Sequence, residues 1–248
     1  MRQRVFYGLL ALLIYGVFLL ATAPARVVLP YVAHDLPPAI IVADVRGSIW
    51  SGQLALLVRT ATGTEALSQV HFSFSVLSIF HGEIGYHMHF SGPLRGHMRA
   101  AVGSQSADLS NLNLVAHAAT LAALVPAAED FGPSGILHLT APHILWGPRI
   151  AGRGLLTWTG AALVSAPVSP LGSYKASFIL RNGAIHYAVH TIIGRLQVRG
   201  RGGYVVRTGI LSFAGTVLGQ GFRLGGLVQN VGTPNGRGGR SVSFEIPL

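Results

Sequence analysis

The 248 residues include no cysteine. A disulfide framework, a thiolate metal site and a cysteine nucleophile are excluded at once. Carboxylates are nearly as scarce. Asp35, Asp44, Glu65, Glu83, Asp108, Glu129, Asp130 and Glu245 are the only eight, against 18 basic side chains, which gives a formal net charge of +10. Lys175 is the only lysine, so the positive charge comes almost entirely from arginine. No G-x-S-x-G or H-E-x-x-H is present, and no paired-carboxylate motif of the glycosidase kind. The glycines at 200, 202, 203, 219, 221, 225 and 226 fit neither G-x-G-x-x-G nor a P-loop. The expectation is a protein with no enzymatic activity and no cofactor.

Only 10% of residues are charged and half are hydrophobic, which is too apolar for a disordered chain. After residue 23 no uncharged apolar run approaches 18 residues. One membrane span at most is therefore expected.

That span is Val5–Ala23, VFYGLLALLIYGVFLLATA, which carries no charge and is apolar all round. At about 1.5 Å per helical residue it reaches roughly 28 Å, close to the hydrocarbon thickness of a bilayer. Arg2 and Arg4 precede it. The positive-inside rule keeps residues 1–4 in the cytoplasm and sends the rest of the chain out. A cleaved signal peptide ending at Ala21-Thr22-Ala23 is the rival reading. The length of the apolar run and Pro24 just after the cut weigh against it.

Pro24, Pro30, Pro37 and Pro38 make residues 24–46 an extended connector. Residues 47–248 then read as a β-rich body, since 32 glycines, 13 prolines and many Val, Thr and Ser favour strands and turns. Gly47 and Gly52 bracket Trp50 in a tight turn or bulge. Val70, Phe72, Phe74 and Val76 alternate with His71, Ser73 and Ser75. Ile84, Tyr86, Met88 and Phe90 alternate with Gly85, His87 and His89. Leu94, Gly96, Met98 and Ala100 alternate with Arg95, His97 and Arg99. Period 2 places one set on a dry face and the other on a polar face.

Further strands are expected at Gln53–Arg59, Ser110–Ala116, Ile136–Thr140, Gly154–Thr159, Ser173–Leu180, Ala184–His190, Arg195–Arg199, Gly203–Arg207, Ile210–Thr216 and Ser241–Ile246. Ala118–Ala128 is the one helical stretch expected in the body. Arg181-Asn182-Gly183 signals a hairpin, because Asn-Gly accepts the positive φ angles of a type I′ turn. About a dozen strands joined by short turns imply a mainly β fold, an antiparallel meander with one short helix. The break at 127–134 offers a division into two similar halves.

In sequence order these elements resemble the family of type II secretion system protein N, also called general secretion pathway protein N. Ala23-Pro24-Ala25 and Leu36-Pro37-Pro38 follow the apolar run. Gly47-Ser48-Ile49-Trp50-Ser51-Gly52 is similar to that family's G-T-x-W-S-G signature, with Ser48 in place of Thr. Trp158 followed by Pro170-Leu171-Gly172-Ser173-Tyr174 is similar to its tryptophan and P-L-G-x-Y element, and Leu227–Arg240 to its closing segment. Ser75 stands where the family pattern would have tryptophan. The resemblance marks Gly47, Trp50, Gly52, Trp158, Pro170, Gly172 and Tyr174 as signature positions. It implies a bitopic inner-membrane protein of a Gram-negative bacterium, with its bulk in the periplasm. It also implies contacts with other components of the apparatus that exports folded proteins across the outer membrane.

His71, His81, His87, His89 and His97 crowd one region. Two imidazoles on one strand are only part of the tetrahedral set that zinc needs, so a polar sheet face is expected and no metal. Trp50, Trp146 and Trp158 are expected in the core. Gly236–Arg240, GRGGR, is read as a basic turn, not an RNA-binding segment, and nucleic acid is not expected as a partner. Outside the inner membrane, anionic lipid or an acidic protein surface suits the positive charge better. The expected function is a scaffold or assembly contact. The alternative is a membrane-anchored β-groove that carries lipid, with a continuous apolar groove and arginines at its rim.

Overall fold

The computed structural model describes residues 15, 22–27, 39–60, 63–79, 82–103, 106–122, 124, 128, 131–147, 150–164, 166, 168–219, 232–236 and 239–247. The expected span at 5–23 lies outside the described residues except for Tyr15, Thr22 and Ala23. Among the described residues no helix is long and apolar enough to cross a membrane. The closing segment Leu227–Arg240 is described only at 232–236 and from Gly239 onward.

Short turns between β-prone segments leave neighbouring strands little choice but to pair with each other. They form one 14-stranded antiparallel sheet. Its strands are β1 (Ile40–Gly47), β2 (Ser51–Thr60), β3 (Gly63–Ser75), β4 (Ile84–Ser91), β5 (Leu94–Val102), β6 (Ala107–His117), β7 (Pro133–Trp146), β8 (Ala151–Leu163), β9 (Gly172–Arg181), β10 (Ala184–Gly194), β11 (Leu196–Val205), β12 (Ile210–Gly219), β13 (Thr233–Pro234) and β14 (Arg240–Pro247). The spatial order follows the chain, except that β14 inserts between β12 and β13. The short helices α1 (Val76–Ile79) and α2 (Ala118–Ala122) sit at strand ends.

Four expectations change. Residues 40–46, expected in the connector, lie in β1, because β-branched Ile40, Ile41 and Val42 pair with Val58, Leu57 and Leu56. Of the expected helix Ala118–Ala128, Ala118–Ala122 is helical and Leu124 stands in a turn, its amide donating to Leu121 O (3.1 Å), while 123 and 125–127 lie outside the described residues. The strands expected at Arg195–Arg199 and Gly203–Arg207 are one strand, β11. Finally, β6 and β7 pair from Ala107–Trp146 to His117–Ile136, so the sheet runs unbroken past 127–134 and is not split into two halves.

Alternation along each strand divides the sheet into two faces. One is apolar: Leu54, Val70, Phe90, Leu114, Leu139, Leu156 and Ala176 lie on it in register across β2–β4 and β6–β9, with Gly96 of β5 between Phe90 and Leu114. Cross-strand aromatic contacts hold it. Phe74 meets Tyr86 edge-on at 5.6 Å, and Phe213 stacks on Phe244 at 5.5 Å.

Glycines take part in the same device. Gly154, Gly200 and Gly202 stand where an added Cβ would run into the rings of Phe178, Phe213 and Tyr187 from neighbouring strands. The rings lie across the bare backbone and cover it, which is why β11 passes through Gly200-Arg201-Gly202-Gly203 without breaking. Val58, Leu67, Val70, Phe72, Phe90 and Leu112 are among the buried side chains. The dominant contacts run between sheet neighbours, with α2 against β6 and β7 and α1 against β4.

Candidate functional site

The second face is polar and basic. In β3, β4 and β5 the residues between the apolar ones are Ser73, His71, His87, His89, His97 and Arg99. Register aligns them across strands. His71 pairs with His89, His89 with His97, and His97 with Asn113. The row continues to Gln53 and Arg46 on one side and Thr140 on the other. A second row runs Ser51, Ser73, His87, Arg99. Between the rows lies a trough of about 1100 Å³, floored by the backbone of Gly52, Phe72, Met88, Met98 and Leu112. Asn111, at φ 52, makes the bulge that turns β6 at the trough's far end.

His71, His87, His89 and His97 are exposed, whereas Arg99 is half-buried. The Arg99 guanidinium donates from Nη2 to Ser78 Oγ of α1 (3.0 Å), and its buried Nε has no partner among the described residues. Gly85 lets α1 come this close, since an added Cβ there would collide with Ser78. No carboxylate lines the trough. On the same face His143 Nδ1 lies 3.0 Å from Asp108 Oδ1, a buried oxygen that accepts no hydrogen bond among the described residues. His138 meets Asn113 Oδ1 at 2.8 Å.

A second trough of about 1260 Å³ crosses β9–β12 and reaches β14 on this face, with His186, His190, Arg199, Arg201 and one carboxylate, Glu245. The histidine expectation is met in part: four of the five share one face, and His81 lies outside the described residues. Among the described residues no three His, Asp or Glu side chains converge to hold a metal. Arg46, Arg99 and Asn113 were not singled out from the sequence as part of a site. Their signal there is a cation or amide at a polar position of an alternating run.

The signature positions fall into two structural knots, with β3–β7 between them. In the first, Gly47 has φ +96, and a Cβ on it would lie 2.5 Å from Ser51 O. Gly52 is closed off by Arg46 O and the Phe72 ring. Trp50 meets Phe74 edge-on at 4.8 Å, and Trp50 O accepts from Phe74 N at 2.7 Å. The segment around Ala23–Ala25 docks on this turn, with Ile49 N donating to Ala23 O (3.0 Å) and Pro24 bridging Ser48.

In the second knot Trp158 tilts against Tyr174 at 6.2 Å and donates from Nε1 to Ser134 O at 3.0 Å. Pro170 precedes Leu171, whose amide donates to Ala161 O and whose carbonyl accepts from Arg195 N and Leu196 N. Gly172 pairs with Gly194. Trp146, expected in the core, is 54% exposed at the end of β7. It pairs with the small Ala107, which offers it little to pack on.

Burial pushes the Tyr174 hydroxyl up to about 12 from an ordinary 10.0, and the hydroxyl donates to Leu196 O at 3.0 Å. A raised folded-state value favours the neutral phenol in the fold. That contribution is complete below the unfolded value of 10.0 and is lost as pH climbs through about 12. Melting temperature is expected to drop across this window, and Tyr174→Phe to flatten the drop while costing about 1 kcal/mol at neutral pH. Circular-dichroism melts at stepped alkaline pH check it, and identical slopes for both proteins would remove Tyr174 as the cause.

No curated protein and no solved structure matches the chain. A family model described as type II secretion system, protein N, matches residues 38–243. That stretch opens two residues before β1, contains the signature residues of both knots and the whole lining of the first trough, and closes inside β14, two residues short of Glu245. With most of its length and nearly all of its sheet inside that match, the chain belongs to the type II secretion system protein N family.

Proposed function

We propose that the protein is a non-enzymatic scaffold of the type II secretion apparatus, an assembly contact for the export of folded proteins across the outer membrane. Family membership ties it to type II secretion, to the cell envelope and to other components of that system. The finer reading holds residues 5–23 as a single inner-membrane span, residues 1–4 in the cytoplasm and the sheet in the periplasm.

The observation that carries the scaffold role is the open sheet. The outer edge of β1 has no strand along it among the described residues, and a partner can extend the sheet there. The seven signature residues act in this reading as the architecture that holds the sheet's ends, not as a reaction centre. Deleting the gene is expected to deplete type II substrates from the culture medium. A secretome unchanged by proteomics, with the other secretion genes expressed, would end this reading.

The lipid-carrying alternative draws on the continuous apolar face. Of its arginines, Arg99 and Arg201 stand on the opposite face, whereas Arg181 and Arg207 lie at strand ends. Mass spectrometry of lipid co-purifying with the sheet separates the two.

A further inference from the structure

We propose that the trough across β1–β7 is a binding site for an extended acidic peptide segment of a protein partner. Its lining joins Arg46, Arg99 and the His71–His89–His97 row to amide side chains, with no carboxylate among them. An anion entering it meets donors, and the nearest carboxylates stand outside the lining, Asp44 in the hollow beside Arg46 and Asp108 next to His143. Arg99 is pre-set for this. Ser78 Oγ accepts from Nη2 and steadies the half-buried guanidinium at the trough wall.

The shape selects the occupant. The two rows come from side chains two residues apart on each strand, which sets them about 6.8 Å from each other. The row from Arg46 to Thr140 crosses seven strands, β1 to β7, or roughly 29 Å at the usual strand spacing. At about 1100 Å³ over that length its mean cross-section is about 38 Å², enough for one extended chain of about nine residues, whereas a helix at least 10 Å across needs about twice that. A membrane surface is flat and does not reach a recessed guanidinium such as Arg99. The proposal rests on the scaffold reading only for which protein carries the segment.

The test uses the 248-residue chain in nonionic detergent and a fluorescein-labelled peptide of ten glutamates, followed by anisotropy. Binding that weakens steeply with added salt is expected, with a ten-glutamine peptide left unbound. Arg99→Gln is expected to weaken it about tenfold, and the exposed pair His89→Gln/His97→Gln to weaken it without touching the α1 contact. Arg201→Gln, in the other trough, is expected to bind as the unchanged protein does. The proposal falls if the glutamate peptide does not bind at low salt, or if the glutamine peptide binds equally. It falls too if Arg99→Gln and the histidine pair both leave binding intact. Displacement of the peptide by phosphatidylglycerol vesicles, but not by neutral ones, would reassign the site to membrane. An unchanged secretome with intact peptide binding would sink the scaffold reading and leave the site standing.

Discussion

Trp50→Ala is expected to destabilise the protein by about 3 kcal/mol, which lowers its melting temperature by roughly 6–12 °C. The figure is at the lower end for aromatic truncation because Trp50 is half-buried. Its ring closes an edge-to-face chain that runs through Phe74 and Tyr86 to Phe72. Such contacts contribute about 0.5–1.5 kcal/mol each beyond the area they bury. The same residue carries the carbonyl that receives Phe74 N, and it sits in the turn on which residues 23–25 dock. Loss of the ring should therefore loosen both the start of the sheet and the attachment of the segment that precedes it. Thermal melts and steady-state abundance in cells check this. A mutant that melts with the parent would mean that the turn is held by its glycines alone.

Gly172→Ala should be as damaging, at about 3 kcal/mol, for the opposite reason: it adds an atom. A Cβ there would lie 2.7 Å from Ile193 O and 2.9 Å from Gly194 Cα. Both are backbone, so neither can swing aside. The β9–β10 pair would have to part where Leu171 O receives Arg195 N (2.9 Å) and Leu196 N (3.1 Å). Gly160→Ala is the control. Gly160 has a left-handed φ of +61, but nothing lies within 4 Å of the added carbon. It should cost only about 1 kcal/mol of backbone strain. Amide exchange at Arg195 and Leu196 should quicken in Gly172→Ala and not in Gly160→Ala. Equal melting temperatures for the two variants would show that the Gly172–Gly194 approach carries no special weight.

The strands were legible where side chains alternate cleanly, as in Val70–Phe74 and Ile84–Phe90, because the period-2 pleat is a local property of the backbone. The Asn182-Gly183 turn was legible for the same reason, and its two residues take φ 50 and 76. The unity of β11 was not. Two glycines in a strand read as a break unless one knows that Tyr187 and Phe213 from neighbouring strands lie over them. The helix was legible at Ala118–Ala122, where Ala and Leu favour it, and composition places no end to it.

By itself the amino-acid order determined that this is a cysteine-free, arginine-rich chain built of alternating strands in succession, with the signature of its family. Only the tertiary structure decided that His71, His89, His97 and Asn113 stand in one line, and that Arg99 is steadied by α1. Alternation says which residues share a face, but register between strands depends on turn lengths and bulges such as the one at Asn111. A slip of one residue there would send the same side chains to the other face. The trough is therefore a consequence of pairing between strands, which no single strand's pattern contains.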